Sequence, residues 1–178
     1  MKNTFRLMVF ALLALSMFAC GEKKLTQEDL KKAEASLFND DKTMNMDVAP
    51  KMAEKYCRFV EQNPNDSIAP ACLFKALEIY LNMHDADKSI AVENKLKECY
   101  PDSERTPVAM FLIASYIYED QLEDLDKARE MYQKIIDDYP DLEYLSDVKL
   151  ALECVGLTPE ERLNHVIMAG MEEVEEFY

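Results

Sequence analysis

Two histidines, His84 in the stretch "NMHDAD" and His165 near the C-terminus, are the only imidazoles in this 178-residue chain. Asp85 and Asp87 stand beside His84. No second histidine or cysteine lies at the spacing of a zinc or calcium ligand set, so a solvated loop is the simpler expectation there. No G-x-S-x-G, H-E-x-x-H or paired Cys/His arrangement occurs. The three glycines, Gly21, Gly156 and Gly170, are too scattered to cradle a phosphate, which excludes P-loop and dinucleotide motifs. Among 35 acidic residues some carboxylate pair could do acid–base work, but composition selects none. The expectation is a protein with no catalytic centre, no metal and no cofactor.

The thiols carry a different chemistry. Cys20 directly follows "MKNTFRLMVFALLALSMFA", in which Lys2 and Arg6 precede an apolar run from Leu7 to Ala19. Charge, length and flank are those of a secretory signal, too short to favour a membrane span. The cysteine after Ala19 resembles a bacterial lipoprotein signal. That resemblance implies cleavage after residue 19, lipidation of Cys20 and a tether over 20–25 beginning with the polar "GEKK". Ordinary secretion with a free thiol at Cys20, or an uncleaved anchor, is the alternative. An exported chain can oxidise its remaining cysteines, Cys57, Cys72, Cys99 and Cys154. Cys57 and Cys72 flank the turn near Pro64 almost symmetrically. They can pair as a disulfide if their helices are antiparallel, or fill the core as small side chains. Cys99 and Cys154 read as core.

Without residues 1–19 the chain keeps 18 basic against 35 acidic residues, a net charge of −17. Such a surface repels nucleic acid and anionic lipid heads and suits a basic partner; acidic, solvated helix faces explain it equally.

These side chains must be positioned by helices. Few glycines and abundant Leu, Ala, Lys, Glu and Met favour helix throughout, and no segment alternates in twos, so no sheet is expected. Thr26 and Asp29 form a capping box for a first helix reaching about residue 38, followed by the polar loop "NDDKTMNMD". Helices follow over about 48–63, 68–83, 87–100, 106–121, 126–139 and 145–156, the last of these ended by Gly156. The eighth covers 158–178, with Thr158, Pro159 and Glu161 at its start. Three of them repeat one layout: "PKMAEKYCRFVEQNPNDS", "DKSIAVENKLKECYPDS" and "DKAREMYQKIIDDYPD". Each has a lysine 13 residues before a proline (Lys51 and Pro64, Lys88 and Pro101, Lys127 and Pro140), at intervals of 37 and 39 residues. A period in the mid-thirties made of two helices signals a helical solenoid, in which each pair buries its apolar face on the next.

The third unit resembles a tetratricopeptide repeat, through Phe111, Ala114, Ser115 and Tyr118 on its first helix and Ala128, Tyr132, Ile135 and Pro140 on its second, with one extra residue between the helices. The second unit is similar through Leu73, Ala76, Leu77 and Tyr80, then Ser89, Glu93, Leu96 and Pro101; Glu93 replaces the family's aromatic and Leu77 its small residue. The first unit is similar in its second helix, through Met52, Tyr56, Phe59 and Pro64. The likeness spans about 47–155 of one helical domain, 26–178. With the lipoprotein signal, it implies an all-α adaptor anchored in a Gram-negative outer membrane and facing the periplasm. In that family the first helices line a groove for an extended partner segment. Here those positions are Phe74, Glu78 and Asn82, then Tyr116, Glu119 and Asp120, where aromatics beside carboxylates suit a basic, partly apolar peptide.

The last helix bears an apolar stripe, Leu163, Val166, Ile167, Met171, Val174 and Phe177, opposite Glu172, Glu173, Glu175 and Glu176. It is expected to cover the final open face of the solenoid. Docking to a partner or to a second copy, giving a homo-oligomer, is the alternative.

Overall fold

The computed structural model describes residues 24–175, with side chains described as far as residue 168. The expected signal peptide 1–19, the lipidation site Cys20, tether residues 20–23 and the last three residues of the C-terminal helix lie outside the described residues. Within them the chain is all helical: α1 (Gln27–Glu34), α2 (Ala49–Gln62), α3 (Ala69–Asn82), α4 (Ala86–Cys99), α5 (Arg105–Leu112) running on as a π-helical segment (Ile113–Gln121), α6 (Leu125–Asp138), α7 (Leu145–Glu153) and α8 (Pro159–Glu175). The described residues contain no sheet; one isolated bridge joins Phe38 to Met44.

Local chemistry sets the boundaries. Thr26 caps α1 reciprocally with Asp29: Asp29 N–H donates to Thr26 Oγ1 at 3.2 Å and Thr26 N–H to Asp29 Oδ2 at 3.0 Å. The helix stops at Glu34, short of the expected residue 38. Asp41 accepts from Thr43 N–H at 2.9 Å, and Lys42 takes a positive φ of 68°, so this polar stretch closes a turn under the Phe38–Met44 bridge. Pro50 and Pro70 occupy the first turns of α2 and α3, where a missing N–H costs nothing. Asp85 and Asp124 cap α4 and α6 by accepting from the N–H of Lys88 and Lys127, at 3.1 and 3.2 Å.

The recurrent lysine belongs to that cap. Lys88 lies 3.5 Å from Asp85 and 5.2 Å above the Tyr80 ring; Lys127 lies 2.8 Å from Asp124 and 5.4 Å above Tyr118. The first unit lacks the device, because Val48 stands at the cap of α2 and makes no side-chain bond there. The recurrent proline has its own partner. Tyr100 Oη donates to the Pro64 carbonyl at 2.8 Å and Tyr139 Oη to the Pro101 carbonyl at 3.0 Å. At the chain's entrance, Leu25 N–H donates to Gln62 Oε1 at 2.7 Å and its carbonyl accepts from Asn63 Nδ2 at 3.1 Å.

The core is continuous from α1 into α5 and then divides. Met52, Tyr56 and Phe59 of α2, Leu73, Ala76 and Leu77 of α3 and Leu96 of α4 are buried with Ala109, Ile113 and Ile117 of α5. On its other side α5 gives Met110 and Ala114 to a second cluster with Ala128, Tyr132 and Ile135 of α6 and Val148 of α7. Each large apolar side chain so buried contributes roughly 1.5–3 kcal/mol of transfer free energy.

The structure corrects the register expected for α5. The buried positions Met110, Ile113 and Ala114 answer Leu73, Ala76 and Leu77 at 37 residues, one residue earlier than the set Phe111, Ala114, Ser115 and Tyr118. The following caps, Asp85 and Asp124, are 39 apart. Two residues are therefore added, and they lie inside the helix rather than in the loop after it. The i→i+5 turns of the π segment absorb them, with Leu122 N–H reaching back to the Ile117 carbonyl at 2.8 Å.

The C-terminal helix also departs from expectation. Its capping box is present, with Glu161 N–H donating to Thr158 Oγ1 at 3.3 Å and Thr158 N–H to Glu161 Oε2 at 2.8 Å. Yet Leu163, Val166, Ile167 and Met168 are exposed instead of covering an open face. What holds α8 is polar: Arg162 pairs with Glu119, and His165 Nε2 lies 2.9 Å from Glu153.

Candidate functional site

Helices α3 and α5, separated in the chain by α4, lie side by side and leave a hollow of about 630 Å³. Glu78 and Asn82 line it from α3, and Tyr116 and Asp120 from the π segment; Leu81 and Leu112 supply apolar wall. Gln121 Nε2 donates to the His84 carbonyl at 2.9 Å and closes one end. Asn82 Nδ2 is committed to the Glu78 carbonyl at 2.8 Å, while the Tyr116 ring stands 56 % exposed. Glu78 also borders a smaller notch of about 200 Å³ walled by Leu37, Phe38, Met44 and Ile79, where Phe38 is 57 % exposed. Beside it Glu34 accepts from Tyr56 Oη at 2.5 Å and from Lys75 Nζ at 2.7 Å. Burial pushes the Glu34 carboxyl up, but these two donors outweigh it and hold it below the usual carboxylate range.

Of the six groove positions inferred from the sequence, Glu78, Asn82, Tyr116 and Asp120 come together in this hollow. Phe74 does not join them; it is half-buried beneath the Arg105 guanidinium, 5.5 Å from the ring centre. Glu119 is engaged elsewhere, 7 % exposed and held by Arg162, with Tyr132 Oη at 3.5 Å. Burial and the nearby Glu119 carboxylate push the Tyr132 phenol up to about 12. Reading the sequence missed Leu81, Leu112 and the whole Phe38 notch. The first two each adjoin a buried residue, Tyr80 and Ile113, so an apolar position beside the core face was the signal; the notch depends on a turn outside the repeats.

Cys57 and Cys72 occupy the facing helices α2 and α3, half-buried and buried, and both are free thiols in this structure. Burial pushes Cys72 up to about 11 and raises Cys57 as well. Cys154 is buried, whereas Cys99, expected in the core, is exposed. His84 takes a positive φ of 54° at the turn into α4, a geometry for which a short loop is responsible. Among the described residues, no three His, Cys, Asp or Glu side chains gather to hold a metal ion, and no helix is long and apolar enough to cross a membrane.

The hollow thus presents two carboxylates, an exposed phenol and two leucines on a rigid helical frame. That combination can grip a cationic side chain and an apolar neighbour on an extended segment. No family model, curated protein or solved structure matches this chain.

Proposed function

We propose that this chain is a non-catalytic adaptor, a tetratricopeptide-like solenoid anchored through a lipid on Cys20 to a bacterial outer membrane and facing the periplasm. Its occupant is an extended, basic segment of another envelope protein, laid between α3 and α5. The observation that carries this reading is the convergence of Glu78, Asp120 and the exposed Tyr116 on one hollow. The recurrent Tyr–Pro contacts support the solenoid part, since they tie one helix pair to the next, and the lysine–aspartate caps recur at the start of the second helix in two of the units. A photo-crosslinking residue at position 116 in the full chain, activated in intact cells, tests it. One or two recurrent heterologous adducts are expected; an abundant membrane-bound protein without adducts would refute the assignment of the hollow.

A second reading is favoured by one observation, the exposure of Leu163, Val166, Ile167 and Met168 on α8. In it, α8 joins two copies into a homo-oligomer. Truncation after Gly156 then yields a monomer, whereas a concentration-independent monomer mass for the full chain excludes this reading.

A further inference from the structure

The chain carries a net charge of −15, yet one face is basic. Lys51, Lys55 and Arg58 succeed one another along α2 at i, i+4 and i+7 and line a hollow of about 480 Å³ against α1. Lys55 also borders an adjoining hollow of about 440 Å³ together with Lys32 and Leu25. Two carboxylates touch these hollows: Glu54, and Asp29, which is committed to the Thr26 cap. Several lysines are paired with carboxylates: Lys75, Lys88, Lys95, Lys97, Lys127 and Lys134, and on this face Lys32, which lies 3.7 Å from Glu28. Lys51 and Lys55, by contrast, have no carboxylate of the described residues within ion-pair distance.

We infer that this α1–α2 face docks on anionic phospholipid headgroups. Two features select that occupant. Charge complementarity is local here: an anionic surface repels this acidic chain as a whole but attracts the cationic side chains gathered on this face. The second is position: Leu25, where residues 1–24 join the fold, borders the same basic surface. The inference therefore rests on the membrane-anchor reading for its location, although the charge pattern stands without it. Net charge alone, which argues against anionic lipid as a partner, averages this island away.

Amine acetylation of the full-length protein on vesicles tests the inference, with the exposed Lys149 as internal reference. On phosphatidylglycerol-containing vesicles Lys51 and Lys55 should react about fivefold more slowly than on pure phosphatidylcholine, the preference that one basic residue gains near an anionic surface. Added salt should abolish the protection. In K51E/K55E, with its fold verified by circular dichroism, protection of Lys32 should vanish too. Equal rates on both vesicle types overturn the inference, and so does equal protection by inorganic phosphate, which would mark a small-anion site. Flotation on phosphatidylcholine reports the anchor separately. Protein that floats without protection refutes the docking face and leaves the anchor; protection without flotation on neutral vesicles does the reverse.

Discussion

The phenol of Tyr139 donates a hydrogen bond to the carbonyl oxygen of Pro101, 3.0 Å away, and Tyr100 makes the same bond to Pro64 at 2.8 Å. In each case the tyrosine that ends one helix reaches the proline that ended the corresponding helix one unit earlier. The residue before each proline, Asn63, Tyr100 or Tyr139, takes nearly the same backbone angles, φ of −138°, −138° and −131°. Proline disfavours helix for the residue before it, which accounts for the break at all three positions.

Tyr100→Phe and Tyr139→Phe should each lower stability by about 0.5–1.5 kcal/mol in urea titration, since each deletes one hydrogen bond without disturbing the ring's packing. A loss near zero in both would mean that water replaces the phenol fully and that the contact orders the units without stabilising them.

Glu93 is 1 % exposed on α4, at the position that Tyr56 and Tyr132 occupy in the neighbouring units. Lys97 Nζ lies 3.0 Å away, yet burial prevails and raises the carboxyl above its ordinary range. A folded-state value above the unfolded one means that the folded state holds the proton more tightly. The site's contribution to stability therefore falls as pH rises from about 4.3 through the folded value. Glu93→Gln should raise stability by roughly 1 kcal/mol at pH 7 and by less at pH 4. Destabilisation at pH 7 would show instead that the pair with Lys97 outweighs desolvation.

Gly156 adopts φ of +81°, and a Cβ there would meet Leu125 Cδ1 at 2.9 Å. Gly156→Ala should cost about 1–2 kcal/mol from the left-handed backbone alone, with the contact adding to it. Thermal unfolding measures the sum; an unchanged melting temperature would require the α7–α8 turn to rearrange.

Arg162 is the main hold on α8, and its partner Glu119 is 7 % exposed. Arg162→Ala strands that carboxylate, at a cost of about 1–3 kcal/mol, and should speed amide exchange in α8 while α2–α4 remain protected. Uniform exchange changes along the chain would argue that α8 is part of the cooperative core.

Much of this architecture could be read from residue types with a local consequence. Thr26, Asp29, Thr158 and Glu161 announced their boxes, and Tyr56 and Tyr132 their burial. Where the sequence reading failed, a non-local cause intervened. The two residues added in α5 are invisible to a search for 3.6-residue periodicity, because the π segment changes the period itself. Glu119 carries a side chain typical of an open groove, but Arg162, 43 residues later in the chain, claims it. The stripe of α8 shows an apolar face without saying what lies against it. Cys99 follows the core face by a few residues and falls outside it because α4 ends there.

The pinning of Leu25 between Gln62 and Asn63 sets a leash. Cys20 and Leu25 are five residue steps apart, and even fully extended that stretch reaches only about 16–18 Å. A chain held at Cys20 keeps the end of α2 within roughly two screening lengths of whatever surface holds it. The domain is then confined to a shallow layer, and its search for partners becomes a two-dimensional one.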